Sequence, residues 1–135
     1  MTDEQRFLFD LQGYIALEGV LGESQLQRMR ATMDEQGIED PGNDPNQSRF
    51  GGFLGWGSDW RELIDHAAIL PVLVELLGDR FRLDHAYGMA ARADVDASGQ
   101  GMHHHAGMFE HGCYYVNHGP KMHNGLVVVS WALND

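Results

Sequence analysis

Histidine supplies the strongest chemical signal in this chain. Of its eight histidines, His103, His104, His105, His111, His118 and His123 fall within one short stretch. Neutral imidazole is a common protein ligand for borderline divalent metals. On an extended segment residues i and i+2 point the same way, so His103 and His105 can grip one ion while His104 faces away. The opposing reading is a solvated histidine-rich loop, although a triplet inside Gly-Gln-Gly-Met-His-His-His-Ala-Gly is not a terminal tag. His85 lies on an alternating segment, where a core or hydrogen-bonded histidine is the commoner outcome, and His66 carries less signal still. Cys113 has no adjacent base and no nucleophile-elbow glycines, and reads as a small buried hydrophobe. The sequence contains no Ser-His-Asp order, phosphate loop or GxGxxG motif.

The elements that must position these residues begin with a short helix capped by Thr2, acidic in its first turn at Asp3 and Glu4, and ended by Gly13. Tyr14 to Leu21 reads as a strand because of its β-branched and aromatic content. Ser24 to Gln36 reads as an amphipathic helix capped by Ser24, with Leu26, Met29 and Met33 on one side and Gly37 closing it. Asp40 to Ser48 is turn chemistry and predicts a surface loop. Arg49 to Trp60, rich in glycine and aromatics, either lines a cleft or is an irregular loop pinned to the core by Phe50, Phe53, Trp56 and Trp60. Pro71 to Leu77 suits a short buried helix entered at a permitted proline position and stopped by Gly78. Phe81, Leu83, His85 and Tyr87 then alternate with other residues at the period of a strand. After a flexible loop at Asp96 to Gly101, Leu126 to Leu133 reads as a second strand covered on both faces.

At 135 residues the chain is of a size for one domain, with apolar content that argues against wholesale disorder. Nine basic residues stand against twenty acidic ones, a formal charge of -11. Such a balance repels phosphate backbones and anionic membrane surfaces, so no nucleic acid and no membrane partner is expected. A single cysteine points to a reducing compartment. The polar amino terminus, with no apolar run near the ~20 residues that span a bilayer, makes a cytoplasmic location the default expectation.

Several segments, taken in order, resemble one family. Phe9 to Leu21 follows a Phe-x-x-x-Gly-Tyr-Ile-x-Leu-x-Gly-Val-Leu pattern. Leu76-Leu77-Gly78, Phe81-Arg82-Leu83-Asp84-His85-x-Tyr87-Gly88, the His103 region, Tyr114-Tyr115, and Gly125 to Asp135 follow. This series resembles the phytanoyl-CoA dioxygenase-like family of iron(II)- and 2-oxoglutarate-dependent oxygenases, over essentially the whole chain. The resemblance implies an α+β chain leaning towards all-β, a partial double-stranded β-helix (a cupin-like jelly roll) with amino-terminal helices packed on it. It implies one incomplete domain over 1–135, mainly helical over 1–78, with the first jelly-roll strands over 79–135. Family members use a His-x-Asp arm and a distant histidine to hold iron(II) in a facial triad, with 2-oxoglutarate and O2 as co-substrates. Oxidative decarboxylation of 2-oxoglutarate there drives hydroxylation of an unactivated carbon, here of a small organic substrate.

Carried across, His103 takes the place of the first metal histidine, and His105 stands where the family has aspartate. That replacement leaves halogenation conceivable beside hydroxylation. Tyr87, Tyr114 and Tyr115 are candidates to line the substrate or co-substrate, against the alternative of ordinary packing. The sequence ends at Asp135, ahead of where the family places its distal metal histidine and the basic residue that grips the 2-oxoglutarate carboxylate. His111, His118 and His123 precede that distal position. A fragment of this kind is expected to leave sheet edges open to self-association. Two readings stand beside the enzyme: a histidine-rich metal-binding module without turnover, and an inactive structural fragment.

Overall fold

The computed structural model describes residues 1–38, 49–90, 111–119 and 121–134. They form two compact units, each assembled from separate stretches of chain.

The first unit is built from Met1–Val20, Asp65–Arg82 and the described residues of 111–131. Its opening helix α1, Asp3–Gln12, starts with a full capping box: the Thr2 hydroxyl accepts from the Gln5 N–H, and the Gln5 side chain accepts from the Thr2 N–H. Gly13, at φ 81°, closes it. Pro71 sits in the first turn of a later helix (Leu70–Leu77), which Gly78 ends. That helix packs on a hairpin of strands Tyr115–His118 and Lys121–Asn124. Leu73, Leu76 and Met122 are the buried apolar residues here, with Leu76 only 2% exposed. The hairpin is antiparallel, pairing Tyr115 with Asn124, Val116 with His123, Asn117 with Met122 and His118 with Lys121. Alternation therefore puts Tyr115, Asn117, Met122 and Asn124 on one face, and Val116, His118, Lys121 and His123 on the other. Charge ties α1 to the later helix, since the Arg6 guanidinium and the Met1 amino group both reach the Glu75 carboxylate.

The second unit takes in residues 21–38, 49–64, 83–90 and 132–134. Helix α2, Glu23–Glu35, begins after Gly22 with no side-chain cap. It ends in a Schellman arrangement: the Ile38 N–H donates to the Met33 carbonyl, the Gly37 N–H donates to Asp34, and Gly37 adopts φ 68°. Strand β1, Arg49–Phe50, is followed by a 3-10 turn at Phe53–Gly55 and by the short helix α3, Ser58–Arg61. The helix Leu70–Leu77 of the first unit is thus α4. Strand β2, Gly88–Met89, pairs antiparallel with β1, Arg49 opposite Met89 and Phe50 opposite Gly88. The hairpin strands of the first unit are β3 and β4. Met29, Met33, Phe53, Trp60 and Leu63 form the core of this unit, with Met29 fully buried. The Arg28 guanidinium clamps Asp59 through two hydrogen bonds at 2.7 and 2.8 Å, joining α2 to α3.

Helices α1, α2 and α4 fall close to where the sequence puts them, with Gly22 rather than Ser24 in the cap of α2, whereas the 3-10 turn and α3 begin within a stretch expected as an irregular loop. The strands do not fall where they are expected. Tyr14 to Leu21 forms no ladder, because a left-handed turn at Gly19 bends it and Tyr14 stands 62% exposed. Phe81 to Tyr87 also lacks a ladder, and pairing is confined to Gly88 and Met89.

Nor do the described residues show the expected partial jelly roll or the expected lean towards all-β, since their helices outweigh their four short strands. That architecture needs eight strands in two facing sheets, whereas the described residues give two separate two-stranded ladders. Leu126 to Leu133, expected as a strand covered on both faces, is assigned to no ladder among the described residues. Its exposure alternates residue by residue, and Val128 is 75% exposed, so only one face is covered. The loop expected at Asp40 to Ser48 and that at Asp96 to Gly101 lie outside the described residues.

Candidate functional site

The two-residue ribbon β1–β2 divides its surroundings into an apolar face and a polar one. Phe50 and Gly88 share one face. A Cβ at Gly88 would collide with the Phe50 ring, so the missing side chain is what lets that ring lie across the strand. Phe50 stacks on Trp56, with ring centroids 5.6 Å apart and planes 11° apart. Phe53 and Trp60 complete the cluster, Trp56 and Trp60 meeting edge to face at 5.0 Å. These contacts match the pinned-loop alternative for Arg49 to Trp60, with the four aromatic rings acting as the pin. Trp60 is 2% exposed and its Nε1–H has no hydrogen-bond partner among the described residues.

Arg49, paired with Met89, faces the other way, and Tyr87 lies two residues before Met89 on the same side. The Arg49 guanidinium carbon lies 3.8 Å from the Tyr87 ring centroid, a close cation–π contact. The His85 ring runs parallel to that of Tyr87, 3° apart in plane and 5.6 Å between centroids. Its Nδ1 is 3.0 Å from the Asp84 carboxylate, which fixes the ring's orientation. A cation, a phenol and an imidazole are thus presented together on a half-exposed surface. The sequence offers Tyr87 as a candidate lining residue against ordinary packing, and His85 as a core or hydrogen-bonded histidine. It gives no sign of Arg49, whose partner lies far along the chain.

The remaining candidates are distributed as follows. His103 and His105, the proposed metal arm, lie outside the described residues, as does His104. Tyr87 belongs to the second unit, Tyr114 and Tyr115 to the first. Tyr114 is 53% exposed. The Tyr115 hydroxyl donates to the Asp10 carboxylate of α1, and its ring meets Phe9 at 6.3 Å. Hydrogen bonds from Tyr115 and then Asn117 hold Asp10 below the ordinary carboxylate range, while burial, followed by Asp10, raises the Tyr115 hydroxyl. Tyr115 therefore has a structural task, joining hairpin to helix. His118 and His123 share the outer hairpin face with Lys121 between them in the chain, and both are exposed. His66 accepts from the Ala68 N–H at 3.2 Å and meets Trp131 edge to face at 5.5 Å, a packing role. Cys113 is half-buried rather than buried.

Among the described residues no group of three or more His, Cys, Asp or Glu side chains converges to hold a metal. No helix of the described residues is long and apolar enough to cross a membrane. No protein-family model matches the chain, and neither the curated proteins nor the solved structures contain a match to it.

Proposed function

We propose that this chain is an iron(II)- and 2-oxoglutarate-dependent dioxygenase-like protein, with His103 and His105 as metal ligands and a small organic molecule as substrate. The observation that carries this reading is the His103-x-His105 pair, set within an ordered series of segments that resembles the phytanoyl-CoA dioxygenase-like family. When bound, the metal and 2-oxoglutarate would supply the oxidising chemistry, using O2. The chain's own part would be to bind the substrate and orient it. Tyr87 suits that role, because His85 and Arg49 hold its ring in place.

A histidine-rich metal-binding module without turnover is the second reading. It is favoured by the lack of a jelly roll among the described residues, since the facial triad depends on such a scaffold to aim its ligands.

Anaerobic iron(II) titration with and without 2-oxoglutarate tests the two readings. On the oxygenase reading, a metal-to-ligand charge-transfer band grows only when 2-oxoglutarate is present, and His103→Ala abolishes it. Iron binding that survives without the band, and without succinate release in air, establishes the module instead. A chain that takes up no iron defeats both.

A further inference from the structure

We infer that Asn124-Gly125 is a deamidation site gated by the hairpin of β3 and β4: it is held unreactive while the hairpin is closed, it reacts when the hairpin opens, and the carboxylate formed opposes reclosure. Asn124 is the one asparagine of the chain followed by glycine, the neighbour that least obstructs attack on the side-chain amide. The fold itself demands that glycine. A Cβ at Gly125 would meet the Gly112 carbonyl oxygen and the Tyr114 ring, both of which lie against it.

In the reaction the Gly125 nitrogen gives up its proton and attacks Asn124 Cγ. A C–N bond forms, the Cγ–Nδ2 bond breaks, and the side-chain nitrogen takes up that proton and leaves as ammonia. Water then opens the succinimide to aspartate or isoaspartate, and either product puts one negative charge at position 124. The closed ladder opposes the first step twice. The Gly125 N–H donates to the Tyr114 carbonyl at 3.1 Å, which disfavours loss of its proton. Asn124, paired with Tyr115 as the last residue of β4, is held extended, whereas ring closure needs the nitrogen and Cγ on the same side of the Cα–C bond. Asn124 Nδ2 is buried with no hydrogen-bond partner among the described residues, so no bond from it anchors the amide once the ladder opens. A ladder of four pairs is marginal by itself, and Tyr115 and Asn117, on the same face as Asn124, tie it to Asp10 of α1. A carboxylate at 124 enters that face and repels Asp10.

The test incubates the whole chain in mildly alkaline buffer, with and without concentrated urea. Deamidation at Asn124 is followed by mass spectrometry of the peptide released by cleavage after Lys121, the chain's one lysine. The folded chain is expected to react at least about tenfold more slowly than the chain in urea, because only the opened hairpin reacts. Tyr115→Phe loses the hydrogen bond to Asp10, and is expected to react faster than the parent without urea and equally fast with it. Asn124→Asp fixes the product charge and is expected to lower Tm at neutral pH, with Asp10→Asn in the same chain restoring part of the loss. A folded-chain rate equal to that in urea, a Tyr115→Phe rate equal to the parent's without urea, or an Asn124→Asp Tm equal to the parent's would each overturn the inference.

Discussion

The two compact units solve the problem of joining distant stretches of chain in different ways. The first ties its opening helix to α4 and to the hairpin largely through polar contacts, Arg6 and the Met1 amino group to Glu75 and Tyr115 to Asp10. α1 contributes no buried residue, and Phe7 and Leu11 on it are 65% and 70% exposed. The second unit gathers Phe50, Phe53, Trp56 and Trp60 into contiguous ring contacts, and Met29 and Met33 of its α2 are buried. Ion pairs near water are weakened by solvent and salt, whereas buried aromatic area is not. The contrast teaches that substitutions of similar chemistry should cost far more in the second unit than on α1.

Replacing Trp60 by alanine gives the sharpest break. Removing a nearly fully buried indole takes away its transfer free energy and leaves a cavity among Phe53, Trp56 and their neighbours, worth about 3–5 kcal/mol. Phe7→Ala on α1 removes a ring that is already 65% exposed and should stay within about 0.5 kcal/mol of the parent. Urea unfolding followed by far-ultraviolet circular dichroism measures both. Equal losses would mean that the aromatic cluster is no more a core than the surface of α1.

Gly88→Ala probes the same unit without removing any atom. The added methyl would meet the Phe50 ring, which cannot simply swing aside because it is stacked on Trp56. Overpacking of this kind should cost about 1–3 kcal/mol. Phe50→Leu in the same chain relieves the clash, so the double variant should recover part of that loss. Additive losses would show that ring and glycine are not in contact.

How far the sequence revealed these units depends on the range of each interaction. The Thr2 cap, the Gly37 closure and the Pro71 entry are set by residues within one turn of one another, and all three are found where local chemistry puts them. The strand expectations at Tyr14–Leu21, Phe81–Tyr87 and Leu126–Leu133 rest on β-branched and aromatic content. Such content marks a segment that fits a half-buried extended surface without choosing a partner for it. Leu126–Leu133 keeps the period-two exposure of an extended chain yet enters no ladder among the described residues, so its composition was legible and its pairing was not. The same limit applies to the candidate site. His85 and Tyr87 stand two residues apart and are readable as a pair, whereas Arg49 reaches them only through the β1–β2 register. The His103 and His105 arm remains a reading of spacing alone, lying outside the described residues.

The smallest expected effect concerns the polar tie of the first unit, and it has a definite sign with pH. The hydrogen bond from Arg6, aided by the Met1 amino group, holds the Glu75 carboxyl below its ordinary range against the opposing push of burial. The unfolded chain therefore takes up a proton at Glu75 before the folded chain does. The stabilisation is present in full above the unfolded pKa and disappears as pH falls through the folded value. Asp59, hydrogen-bonded by Arg28 in the second unit, is lowered in the same direction, so the parent's acid sensitivity contains both contributions. Glu75→Gln should lower Tm slightly near neutral pH, and its difference from the parent should shrink between about pH 5 and pH 3. Asp59→Asn should show the same trend, while Trp60→Ala should keep a nearly constant deficit over that range, because a cavity does not titrate. A Glu75→Gln deficit that held constant, or grew, on acidification would mean that the Arg6–Glu75 contact does not join α1 to α4 in solution, and that α1 is held by its cap and its few apolar contacts instead.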